Sequence, residues 1–61
     1  MTENKKRYRA VWHDESGALK KGVLTTWNGA VFDFGYVVSK ELVAWIEDEE
    51  GNKITEAPAH V

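Results

Sequence analysis

Two stretches of this chain, VWHDESG at residues 11–17 and AWIEDEEG at residues 44–51, run from a small apolar residue through a tryptophan into Asp-Glu-x-Gly. In such a stretch the glycine supplies the left-handed conformation that closes a type I turn with a bulge. Asp14-Glu15-Ser16-Gly17 and Asp48-Glu49-Glu50-Gly51 therefore read as two hairpin loops. Ahead of the first, Tyr8, Ala10 and Trp12 alternate with Arg7, Arg9, Val11 and His13, the pattern of a half-buried strand. Two hairpins in so short a chain leave little besides an antiparallel sheet for the rest to join.

Between them lies TTWNGAVF. Asn28-Gly29 suits a two-residue type I′ turn, because both central positions of that turn need positive φ. On that register Trp27 faces Ala30, Thr25 faces Phe32, Leu24 faces Asp33 and Val23 faces Phe34. Val23, Thr25, Trp27, Phe32 and Phe34 then share a core face, and Asp33 points away from it. Strands are expected at 6–13, 18–27, 30–38, 42–48 and 53–57, with a connection at 39–41 and the basic first strand at a sheet edge. The expected fold class is all-β: a five-stranded antiparallel meander curling into a small barrel of the SH3-like or OB-like type. The alternative is an α+β fold with a helix at about 40–50, N-capped by Ser39. Glu47, Asp48, Glu49 and Glu50 would then crowd the negative end of the helix dipole, which favours the strand.

Sixty-one residues make a single domain, 1–61, with a marginal core; residues 1–5 read as a disordered tail. The chain has no cysteine, which removes disulfides and thiolate metal sites as staples. No apolar run reaches the length of a signal peptide core or a membrane span, so a soluble, cytoplasmic protein is expected. The net charge of −2 hides an asymmetry. Residues 1–21 carry six Lys or Arg against three Asp or Glu, and residues 22–61 carry two against seven.

The residues exclude most catalytic schemes. His13, Asp14 and Ser16 lie on one tight turn, where no base can be oriented by a third group while reaching a nucleophile. His13 and His60 are the only imidazoles, the acidic run 47–50 lacks calcium-loop spacing, and the five glycines form no phosphate-cradling pattern. No enzyme activity, metal or cofactor is expected.

The aromatic set of Tyr8, Trp12, Trp27, Phe32, Phe34, Tyr36 and Trp45 carries the functional signal. Phe32 and Phe34 are assigned to the core. A barrel this small cannot bury every ring, and exposed Trp and Tyr dominate interaction hot spots. Trp12, Trp45 and Tyr36, with Arg7 and Arg9, are the expected protein-binding residues. GVLTTWNGAVFDFGYV, about a quarter of the chain, resembles the opening of a cold-shock domain through Gly22, Val23, Trp27, Asn28, Phe34, Gly35 and Tyr36. Thr26 stands where that family has a lysine, and the aromatic between Trp27 and Asn28 is missing. The resemblance implies single-stranded nucleic acid stacking on Trp27, Phe34 and Tyr36. The leading expectation is a non-enzymatic interaction module, of accessory or inhibitory kind, docking on a larger protein or on a second copy as a homodimer. Nucleic-acid binding is the alternative, opposed by the acidic majority of the chain.

Overall fold

The computed structural model describes residues 6–58, so the tail assigned to residues 1–5 and the histidine at position 60 lie outside the described residues. Strand β1 (Tyr8–His13) is followed by β2 (Leu19–Lys21), helix α1 (Trp27–Val38), β3 (Ala44–Asp48) and β4 (Lys53–Ile54). The four strands form one antiparallel sheet in the order β2-β1-β3-β4. Two hairpins, β1–β2 and β3–β4, thus lie side by side with α1 crossing between them.

Both Asp-Glu-x-Gly loops are the same turn. The Asp14 carboxylate accepts from the N–H of Ser16 and of Ala18 at 2.9 and 3.0 Å and from the Ser16 hydroxyl at 2.7 Å. The Asp48 carboxylate accepts from the N–H of Glu50 and of Asn52, both at 2.9 Å. The aspartate carbonyl in each loop receives the glycine N–H at 2.9 Å, and Gly17 and Gly51 have φ of +90° and +88°. A Cβ there would meet no neighbour, so backbone conformation alone selects glycine.

The structure overturns the all-β reading. The fold is α+β with an open, unclosed sheet, neither SH3-like nor OB-like, and residues 27–38 are helix where a turn and strand were expected. The helix is also not where the α+β alternative put it, since 44–48 is strand. Thr26 decides the local structure. Its backbone is extended (φ −68°, ψ 166°), and its side chain accepts from the Gly29 N–H at 3.1 Å, the geometry of a helix N-cap. Asn28 and Gly29 consequently occupy the first helical turn. A Cβ on Gly29 would stand 2.8 Å from two Thr25 side-chain atoms, so close approach, not positive φ, is what this glycine serves.

Trp27, Ala30, Phe34 and Val37 follow at intervals of three, four and three, one stripe of a helix. Ala30 and Val37 are buried, and Trp27 and Phe34 pack with Ile54 against a core of Tyr8, Ala30 and Ile46. The Tyr8 and Trp27 rings meet edge to face, centroids 5.3 Å apart. The helix closes with Ser39 as C-cap. Lys40 and Glu41 donate to the carbonyls of Val37 and Val38, and Glu41 takes a left-handed φ of 66° that turns the chain toward β3.

The first strand is central, not an edge: β1 pairs with β2 on one side and with β3 on the other. The expected long second strand is broken by a bulge. Gly22 donates to the Ala10 carbonyl at 2.8 Å, and Thr25 exchanges both backbone bonds with Tyr8 at 2.7 and 2.8 Å, so Val23 and Leu24 together stand opposite Arg9. Such a bulge twists an edge strand away from further pairing.

Candidate functional site

Strand alternation divides the sheet into two chemically different faces. Tyr8, Ala10, Trp12, Ala44, Ile46 and Ile54 face α1. Arg9, Val11, His13, Lys21, Trp45, Glu47 and Lys53 face the other way, where no further element lies among the described residues.

On the helix side, α1 covers the sheet incompletely. A groove of about 680 Å³ opens beside its C-terminal half, lined by Trp12 of β1, the turn residues Asp14 to Ser16, Gly22 and Val23, then Asp33, Tyr36, Val37, Lys40 and Leu42. The floor is mostly apolar. Trp12 is half-buried, its ring set against Gly22, whose Cβ position would lie 3.7 Å from it. Phe32 and Tyr36, one turn apart on α1, are 75% and 59% exposed. The Lys40 ammonium stands 4.7 Å from the centre of the Tyr36 ring. Acidic groups rim the groove: the Asp14 carboxylate is held by its own turn and lies 3.9 Å from Lys20, whereas Asp33 and Glu15 pair with no side chain of the described residues.

The opposite face is basic and closed by its own side chains. Glu47, 6% exposed, receives Arg9 Nε at 2.6 Å and Lys21 Nζ at 3.3 Å. Burial acts to raise the Glu47 pKa, but the hydrogen bonds from Arg9 and Lys21 outweigh it and hold the carboxyl below its ordinary value. Val11, flanked across the strands by Lys21 and Trp45, is buried although no further element among the described residues covers it. Trp45 is itself engaged, with the His13 ring centroid at 5.6 Å and the Lys53 ammonium at 4.8 Å. Long cationic stems laid over apolar surface in this way leave their charges in water.

Of the expected protein-binding residues, Trp12 and Tyr36 meet at the groove. Trp45 and Arg9 lie on the opposite face, and Arg7 is exposed just ahead of β1. The three rings expected to stack nucleic acid do not form a platform: Trp27 and Phe34 pack against the core, and Tyr36, two residues beyond Phe34, projects from the far side of the helix. The segment that carries the cold-shock resemblance is largely α1, not a pair of strands. Phe32, assigned to the core, is the most exposed aromatic. Its position is visible in the sequence once the helical stripe is recognised, since it falls on the side away from Ala30, Phe34 and Val37. Among the described residues no group of three or more His, Cys, Asp or Glu could hold a metal, and no helix is long and apolar enough to cross a membrane. Comparison with models of protein families, with curated proteins and with solved structures found no match to this chain.

Proposed function

We propose that this chain is a non-enzymatic protein-interaction module of the cytoplasm, docking on a larger protein as an accessory or inhibitory subunit through the outer face of α1 and the groove beside it. One observation carries the reading: Phe32 and Tyr36 stand side by side in solvent on a helix whose other face is in the core, next to a groove floored by Trp12, Val23, Val37 and Leu42. Isolated apolar side chains on a surface need no explanation, but rings adjoining an apolar groove form the kind of patch that marks an interface.

A second reading, nucleic-acid binding, has the basic sheet face of Arg9, Lys21 and Lys53 around Trp45 in its favour. Against it, Arg9 and Lys21 are committed to Glu47 and Lys53 to the Trp45 ring. Affinity capture from a nuclease-treated lysate, with wild type and a Phe32→Ser/Tyr36→Ser variant in parallel, separates the two. Both substituted positions are exposed, so the variant is expected to melt within a few degrees of wild type. A protein held by wild type and lost by the variant supports docking at α1. Partners retained equally by both sink it, and material lost to nuclease transfers the function to the basic face.

A further inference from the structure

The groove's lining specifies the chemistry of its occupant more narrowly than its shape does. Three carboxylates, Asp14, Glu15 and Asp33, border it against one ammonium, Lys40. Their availability differs. Asp14 Oδ1 accepts from Ser16 and Ala18 while its Oδ2 faces Lys20 at 3.9 Å, and Lys40 leans over Tyr36, whereas Asp33 is only half exposed and has no partner among the described residues. A half-desolvated carboxylate gains more from an incoming cation than one in bulk water, since the screening around it is weaker. The apolar wall beside it accommodates the methylene stem that a Lys or Arg carries. Among the described residues, Lys21 and Arg9 are turned to the opposite face and bonded to Glu47, and Lys20 stands beside Asp14, so none of these three pairs with Asp33.

We propose that the groove takes a basic, apolar segment of a partner protein: an apolar side chain seated over Trp12 and Leu42, with a neighbouring Arg or Lys reaching Asp33. This inference rests on the docking reading above and adds to it the class of ligand. Asp33 acts here as a specificity residue, and Tyr36 as the wall against which the segment lies.

The test is selection of a random linear peptide library displayed on phage against the immobilised protein, with individual peptides then titrated against wild type, Asp33→Asn and Tyr36→Ser. The intrinsic fluorescence of the protein's tryptophans and calorimetry provide the readouts. The expected outcome is enrichment of net-positive peptides in which Arg or Lys adjoins a large apolar residue. Their affinity should fall about fivefold in Asp33→Asn, the scale of one partly screened ion pair. It should also weaken as salt is raised from about 0.05 to about 0.5 M. Neutral or acidic peptides that lose binding in Tyr36→Ser would overturn the basic specificity while leaving docking at the groove standing. If no enriched peptide depends on Tyr36, the docking reading fails together with this one. Sedimentation of wild type and Asp33→Asn covers the remaining occupant: self-association that Asp33→Asn abolishes would make the occupant a second copy and overturn the heterologous partner.

Discussion

Asp14 and Asp48 occupy equivalent places in equivalent turns, yet their surroundings make them unequal. Asp48 is 1% exposed and also within 3.5 Å of Lys6, while Asp14 is half exposed. Both carboxyls are held below their ordinary pKa, Asp48 chiefly by the backbone hydrogen bond from Asn52 and Asp14 chiefly by the Ser16 hydroxyl. A carboxyl whose folded pKa lies below its unfolded value stabilises the fold fully above that unfolded value, about 4, and the contribution disappears as pH falls through the folded pKa. Glu47 is depressed as well, so all three act in the same direction. The expectation is that Asp48→Ala lowers stability markedly at pH 6, more than Asp14→Ala does, and that both gaps shrink as the pH drops below about 4. Urea denaturation at pH 6 and pH 3 measures this. Equal gaps at both pH values would show that the turn depends on the side chain's shape and not on its charge.

Helix α1 contains two glycines in contrasting positions. At Gly35 a Cβ would meet nothing within 4 Å, whereas at Gly29 it would press on Thr25 at 2.8 Å. Alanine is favoured over glycine inside a helix by roughly 1 kcal/mol, so Gly35→Ala should raise stability by about that amount, read as a shift in the urea midpoint at constant slope. Gly29→Ala should forfeit the gain to its contact with Thr25 and fall clearly below Gly35→Ala. Far-ultraviolet circular dichroism should show a helical contribution, which a pure β barrel would lack. These same residues explain what the sequence disclosed and what it hid. The two hairpin turns were legible because an Asp accepting from the backbone and a Gly at positive φ act within five residues. At Asn28-Gly29 two local codes compete: Asn-Gly favours a turn, and Thr26 three residues before Gly29 favours a helix cap. The contest is decided at a distance, by a sheet face of Tyr8, Ile46 and Ile54 that buries Ala30 and packs against Trp27 and Phe34 of the stripe. Trp12 and Tyr36 could be singled out simply because so small a chain has more rings than interior. Phe32 could not, since a period of two puts it beside Phe34 and a period of 3.6 puts it opposite.

At the scale of the whole molecule the sheet's order matters most. Its outer seams join strands a few residues apart, but the middle one joins Tyr8 to Asp48 and Trp12 to Ala44, with β2 and the entire helix between. Hairpins of the outer kind close in roughly 1–10 μs, whereas contacts between segments so remote in the chain are slow because their loop-closure entropy must be met first. Pairing at the central seam is therefore expected to limit the rate of folding, with α1 laying its stripe across both hairpins as they meet. Ile46→Val, which trims a methyl group at that seam for about 1 kcal/mol, should slow refolding in stopped-flow measurements and leave the unfolding rate nearly unchanged. A loss expressed entirely as faster unfolding would place the seam after the barrier. Until that seam forms, β1 and β3 each expose an unpaired edge, one of them carrying Val11 and Trp12 and the other Trp45 and Ile46. A half-assembled chain, unlike the native one, whose outer strands are short and whose β2 edge is bulged, would leave the longest apolar strands open to pairing with a neighbour, and aggregation should rise in variants that slow formation of the central seam.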